Sequence, residues 1–362
     1  MSVSSSNIKP KRILVSANMG PGTLRAKILP LASLADVKQV LILRKEPADV
    51  IPKVSYLRLP TAARIPLLHL LLHPIYLAFY AMKYRVDLII GYHFIPYAFF
   101  AHLASIISRK PFIVAQTGLL IQDVKKGGWK GKWITKITDK ALYLFTPGNE
   151  SRLFWQARGV EPAKIVVLHS TIDTAIFKRN EGKETFDFVF VGRLNPIKQI
   201  ELIIRGFKQI HQRNPLIKLL IVGDGPSEES LKKLVLKLEL GLVVEFTGFQ
   251  ANVKKYLDMA PFFVMASKSE GLPCAIMEAM SNGNIVLSTM VGNIPDLIKP
   301  GQTGIPIAEN TAKSVEHALS AALAMTAKQK SVMIDEGRSL IKEHHSFNSV
   351  QKKWSKLLSS LE

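Results

Sequence analysis

The chain has 362 residues and is 48% hydrophobic, enough for two ordinary domains and too long for one small core. Its 48 Lys and Arg outnumber 28 Asp and Glu, and the resulting net charge of +20 predicts attraction to polyanions: nucleic acid, anionic lipid headgroups or a phosphorylated ligand. The one cysteine, Cys274, excludes an intramolecular disulfide, and no apolar signal core precedes KRILVSA, so a cytoplasmic protein is expected.

RILVSA (12–17) reads as the first strand, followed by the glycine-bearing turn Met19-Gly20-Pro21-Gly22-Thr23. QVLILR (39–44) is the second. Residues 65–82, IPLLHLLLHPIYLAFYAM, then run without an Asp, Glu, Lys or Arg. That length is near the lower limit for a membrane span, yet it contains His69, His73 and Pro74. Three readings stay open: a span, a membrane-surface helix, and an ordinary buried helix, with the last as the default. VDLIIGY (86–92) ends beside His93, and PFIVAQT (111–117) ends in Gln116 and Thr117. The stretch KKGGWKGKWITKITDK (125–140) interleaves lysines with Trp129 and Trp133 and has no acid before Asp139. It suits an anionic membrane surface, or equally a solvated basic loop. ALYLFTP (141–147) and KIVVLH (164–169) complete the first set of strands.

The polar run FKRNEGKETFD (177–187) is the best linker. Beyond it FDFVFVG (186–192), KLLIVGD (218–224), VVEFTG (243–248), FFVMAS (262–267) and NIVLST (284–289) form a second set. Near-continuous apolar strands separated by helical patterns predict α/β architecture, with doubly wound parallel sheets. The expected domains are 1–177 and 178–345. A last helix over 346–362, with Val350, Trp354, Leu357 and Leu361 at helical spacing, is expected to pack back on the first domain. Such sheets bind ligands at the carboxyl ends of their strands.

Those strand ends carry the chemistry of the second half. Gly192-Arg193-Leu194-Asn195-Pro196-Ile197-Lys198 puts two cations at a strand end and a helix start, where a diphosphate could be gripped, although solvated surface charge reads the same way. Gly223-Asp224-Gly225-Pro226 repeats the strand–turn–helix layout without a full dinucleotide fingerprint. In SKSEGLPCAIMEAM (267–280) Glu270 lies on a loop and Glu278 in a helical run, with Gly-Leu-Pro between them. The two acids are a catalytic pair, two unrelated charges, or two contacts to one ligand.

VGRLNPIKQIELII, GDGP, FTGF, SEGLPCAIMEAM and VGNIPDLI, in this order, resemble the donor half of retaining glycosyltransferases of family four, the group 1 glycosyl transferases. The resemblance covers most of residues 186–306, and the first half resembles the family more loosely. It implies a GT-B fold, two Rossmann-like doubly wound parallel-sheet domains facing a cleft. It also implies transfer of a sugar from a UDP- or GDP-sugar to a glycan or lipid-linked acceptor, with retention, in cell-surface polysaccharide or glycolipid assembly.

The implied roles fall on particular residues. Arg193 and Lys198 neutralise the diphosphate, and Glu270 holds sugar hydroxyls near the reaction centre. Gly271 and Leu272 present N–H groups to the phosphates, Glu278 bonds the ribose, and Gly248 and Phe249 lie beside the base. The departing phosphate takes the acceptor proton, so no protein base, metal or other cofactor is expected. The acids then serve as a ruler for one donor, not as a proton-sharing pair.

On the acceptor side the resemblance assigns the loop of Gly20 and Gly22, with His93 as a further binding residue. Members carry a histidine where this chain has Gln116, which can hydrogen-bond a ligand but not carry charge. Asn293 and Asp296 stand where Gly and Glu are usual. The expected partners are a nucleotide sugar, the acceptor, and an anionic membrane surface met through 65–82 and 125–140 on the inner face of the cytoplasmic membrane. No nucleic acid is expected. A nucleotide-sugar epimerase of the same fold, a non-catalytic donor-binding relative, and a basic polyanion-binding protein are the alternatives.

Overall fold

The computed structural model of the chain describes residues 11–44, 46, 50–61, 65–117, 128–180 and 184–361. In chain order the first part holds β1 (Lys11–Ser16), α1 (Pro21–Ala32), β2 (Val37–Leu43), β3 (Val54–Leu57), α2 (Pro66–Lys83), β4 (Leu88–Tyr92), α3 (Phe99–Ser108), β5 (Phe112–Ala115), α4 (Gly128–Lys140), β6 (Tyr143–Thr146), α5 (Asn149–Gln156) and β7 (Ile165–Val167). They form one parallel sheet of seven strands, ordered β3-β2-β1-β4-β5-β6-β7. β1, β4 and β5 are buried from end to end or nearly so, as strands covered by helices on both faces must be. Apolar side chains of α2, α3 and α4 pack on one face, and those of α1 on the other.

The second part holds β8 (Phe188–Val191), α6 (Ile200–Arg213), β9 (Leu219–Val222), α7 (Glu228–Lys237), β10 (Val244–Phe246), α8 (Lys254–Leu257), β11 (Phe262–Met265), α9 (Cys274–Asn282), β12 (Ile285–Thr289), β13 (Gly304–Ile307), α10 (Ala312–Leu323), α11 (Ala327–His344) and α12 (Phe347–Ser359). Its strands make a parallel sheet of six, ordered β10-β9-β8-β11-β12-β13. α6, α7 and α10 cover one face, and α9 covers the other.

The chain divides into two compact units. The first runs through Thr171 and takes back the chain from Phe347; the second is Ile172–Ser346. The break thus falls ahead of the polar run 177–187, whose described residues are tied to the second unit. The Phe177 carbonyl accepts from Ser281 Oγ at 2.9 Å, and Arg179 donates to the Ala260 carbonyl at 3.1 Å. α12 returns to the first unit, burying Val350, Trp354 and Leu358, with the Trp354 ring 5.1 Å from that of Phe145.

The apolar segment 65–82 forms α2. His69, His73, Leu77 and Ala81 face inward, while Leu67, Leu70, Leu71, Ile75, Phe79 and Met82 are exposed. Among the described residues no helix is long and apolar enough to cross a membrane. His73 is fully buried against Ser16 Oγ at 2.8 Å, and burial, with the neighbouring His69, pushes its imidazole down to about 3. Residues 125–127 and the Trp129 side chain of the lysine-rich segment lie outside the described residues.

Candidate active site

Parallel pairing sets the geometry. β8 lies between β9 and β11, so the loops that leave these strands share one edge of the second sheet. After β8 the chain passes Arg193 and makes a short turn, Pro196–Lys198, capped by Asn195, whose Oδ1 accepts from the Lys198 N–H at 3.2 Å. After β11 the Lys268 N–H donates to the Ile197 carbonyl at 2.8 Å, locking the two loops side by side. This brings Lys198 Nζ to 2.5 Å from Glu270 Oε1. The side chains are only 18% and 10% exposed, so each is largely removed from water and depends on the other for charge compensation. Arg193 is exposed beside this pair in sequence and has no ion-pair partner among the described residues.

A third loop fixes Glu270 from behind. Gly292 follows β12 at φ +60°, and a Cβ placed there would meet the Glu270 carbonyl oxygen at 1.8 Å. The Asn293 N–H donates to the Gly271 carbonyl at 3.0 Å. Asn310 adds a tie across the same loops, its Nδ2 donating to Gln199 Oε1 at 2.6 Å and to the Ser267 carbonyl at 3.2 Å. The N–H groups of Gly271 and Leu272 find no acceptor among the described residues, which leaves two adjacent donors at the edge. Gly292 and Asn310 support the loops of Lys198 and Glu270, a role that sequence reasoning missed. Gly292 lies within VGNIPDLI, but its role is a close backbone approach, and Asn310 lies outside any motif.

A cavity of about 530 Å³ opens at this edge, lined by Gly192, Arg193, Gly223, Asp224, Phe249 and Gln250 among others. Gly223 allows it to form, because a Cβ there would lie 1.9 Å from the Gly192 carbonyl oxygen. The Gly223 N–H donates to the Gly248 carbonyl at 2.9 Å, and the Phe249 ring at the cavity is 72% exposed. Glu278 sits on α9, part-buried, with no hydrogen bond or ion pair among the described residues, and burial pushes its carboxyl up to about 7. Among the described residues no three His, Cys, Asp or Glu side chains group as a metal would require.

In the first unit Gly20 and Gly22 flank the start of α1, exposed, with open space where a Cβ would stand. His93 follows β4 at φ +66°, its ring against Thr117 Oγ1. Burial, then the Lys27 charge, push this imidazole below its ordinary range. Gln116 departs from the expectation that it contacts substrate. It is 3% exposed, its Oε1 accepts from Trp155 Nε1 at 2.8 Å, and its Nε2 donates to Ser151 Oγ at 3.2 Å. Both ends of its amide are engaged inside the unit.

Set beside solved structures, the chain overlays that of HepE from Anabaena, solved with UDP and glucose, with a TM-score of 0.80 at 16% identity, over 97% of this chain and 100% of that one. Sucrose-phosphate synthase from Thermosynechococcus elongatus gives 0.79 at 17% identity, over 97% and 99%. The fold is that of the GT-B glycosyltransferases. Residues 171–340, which span nearly all of the second unit, match the family model of glycosyl transferases, group 1.

Among curated relatives the chain is 31% identical over 180 residues to the amylovoran biosynthesis glycosyltransferase AmsK of Erwinia amylovora, covering 46% of this chain and 44% of AmsK. It is 24% identical over 240 residues to the lipopolysaccharide 1,2-N-acetylglucosaminetransferase of Salmonella typhimurium, covering 60% and 62%. WcaL of Escherichia coli is 29% identical over 219 residues, 57% of this chain and 53% of WcaL. The chain thus spans about half the length of the curated relatives it matches.

Proposed function

We propose that the protein is a retaining glycosyltransferase that moves a sugar from a nucleoside diphosphate to a glycan or lipid-linked acceptor in cell-surface polysaccharide or glycolipid assembly. The observation that carries this reading is the Lys198–Glu270 pair at 2.5 Å beside the unpartnered Arg193, at the edge where β8 and β11 end. Two cations there suit a leaving diphosphate. Negative charge grows on that oxygen as its bond to the sugar C1 breaks, and preorganised cations stabilise it without reorganising. Glu270 has one oxygen for the lysine and another to accept from a sugar hydroxyl. The free N–H groups of Gly271 and Leu272 suit phosphate oxygens, and the exposed ring of Phe249 at the cavity suits a base. The acceptor oxygen bonds C1 on the face the diphosphate leaves, and its proton passes to the departing phosphate oxygen. The relatives named for amylovoran and lipopolysaccharide support the glycan side of the reading.

The test is a thermal-shift screen of the full chain with UDP-, GDP- and ADP-glucose, because a ligand that binds only the folded state must stabilise it, by about 2.7 kcal/mol at a hundredfold excess over Kd. Arg193→Ala is the informative variant. It removes an exposed, unpaired charge, so folding stability is expected to hold while turnover falls about 10²–10³-fold. No shift with any nucleotide sugar would refute the donor assignment. Lys198→Ala is less informative, since stranding the buried Glu270 carboxylate costs about 3–5 kcal/mol on its own.

The same reading extends to the membrane. The exposed face of α2 is apolar from Leu67 to Met82, and Lys83 closes it. Trp133 of α4 is 53% exposed against Phe99, among exposed lysines 132, 136 and 140. Apolar side chains next to lysines are what an anionic bilayer surface accommodates, and a lipid-linked acceptor would be met there.

A further inference from the structure

The carboxyl edge of the first sheet is cationic. All seven strands are parallel, so the residues that follow them share that edge. They include Arg44 after β2 and Arg58 after β3, and none of the seven strands is followed directly by Asp or Glu.

Arg44 is the informative member. Its Nε and Nη1 are buried without a hydrogen-bond partner, while the residue as a whole is only part-buried. The guanidinium is therefore sunk by its Nε–Nη1 edge. Among the described residues no carboxylate pairs with it. Its charge acts on Tyr97. The Tyr97 phenol is raised above its ordinary range by burial, and a hydrogen bond from Asn18 and the Arg44 charge oppose that rise. Tyr97 in turn packs on His73, 5.6 Å between rings, and His73 holds Ser16 at the end of β1. A cation partly withdrawn from water, with unmet donors and no counter-charge, is costly unless something completes it. A neutral sugar hydroxyl would not supply the missing charge. An oxyanion would, and arginine binds phosphate and carboxylate with the same forked geometry.

We propose that Arg44 binds an anionic group of the acceptor, a phosphate or a carboxylate, at the carboxyl edge of β2. This rests on the reading of the first unit as the acceptor side of a glycosyltransferase. It narrows the acceptor from any glycan or lipid-linked hydroxyl compound to one that carries negative charge. An acceptor with a diphosphate linkage and one with an acidic sugar both meet that requirement.

Inorganic pyrophosphate and D-glucuronate, titrated separately by calorimetry, distinguish these two sources. The full chain carrying Arg193→Ala serves as the reference, because it lacks one cation of the donor grip. Adding Arg44→Gln is expected to weaken at least one probe tenfold or more; pyrophosphate alone identifies phosphate, and glucuronate alone identifies carboxylate. The glutamine variant is expected to melt no lower than its parent, since it removes an uncompensated charge. Equal binding of both probes with and without Arg44, or no binding of either to the reference, overturns the proposal. In an otherwise wild-type chain, Arg44→Gln leaves the nucleotide-sugar thermal shift in place. A missing shift in the wild type would overturn the donor reading and leave anion binding at Arg44 to stand or fall on the calorimetry.

Discussion

Glu278 shows how burial of one carboxyl couples binding to pH. Burial raises its pKa from the ordinary 4.5 to about 7. The protonated acid is therefore the form the fold prefers. The contribution is complete below about 4.5 and is lost as pH rises through 7, and the gap corresponds to about 3 kcal/mol. A ribose that donates hydroxyl hydrogens favours the ionised form instead. Nucleoside diphosphate affinity is then expected to rise from pH 6 to pH 8, and Glu278→Gln to flatten both this slope and the loss of stability. Calorimetric titration of UDP across that range checks it; an identical slope in wild type and variant would remove Glu278 from the ribose contact. At this scale the sequence was most legible where chemistry sits on strand-end loops. Lys198 and Glu270 meet because adjacent parallel strands deliver them to one edge, which Arg193 shares. Gln116 was not legible, because its orientation depends on Trp155, 39 residues further on.

Elements tell a similar story of near and far. The interior strands announced themselves as continuous apolar runs, but β3 and β13 did not. Each is an edge strand of four residues, VSYL and GIPI, with two or three half-buried positions, and an edge needs no two-sided apolar face. The loop after β12 carries a role that only the packed structure reveals. Gly292 is at φ +60°, and the Glu270 carbonyl fills the space its side chain would take. Gly292→Ala is expected to push the Glu270 loop away and lower turnover at least a hundredfold, with a stability cost of about 1–3 kcal/mol from the strained backbone. Because the cavity at Phe249 is formed by other loops, nucleotide binding is expected to fall less than turnover, the loss coming from the Gly271 and Leu272 N–H groups on the displaced loop. Full turnover in that variant would show that the loop has slack and that the ion pair does not rely on it.

For the molecule as a whole, the +20 charge and the apolar face of α2 point the same way. Vesicles containing phosphatidylglycerol are expected to sediment the protein at low salt, and phosphatidylcholine vesicles are not. Leu71→Gln with Ile75→Gln removes two side chains that are 59% and 56% exposed, so folding is expected to be unaffected while vesicle binding weakens several-fold. Retention of the double variant on anionic vesicles at wild-type level would assign the surface to another partner. The overall division was legible because two strand sets flank one polar run. The boundary moved to Thr171 because Arg179 and Phe177 are anchored on the second unit.

The return of α12 to the first unit also bears on how the protein is made. The chain leaves that unit at Thr171 and re-enters it at Phe347, so Val350, Trp354 and Leu358 reach their places only after all 175 intervening residues have been translated. At typical elongation rates that interval is roughly 10–35 s. The unit that starts first is therefore finished last. During that interval the surface around Phe145 waits uncovered on the ribosome, while the second unit, whose residues are consecutive, can complete its own core ahead of it.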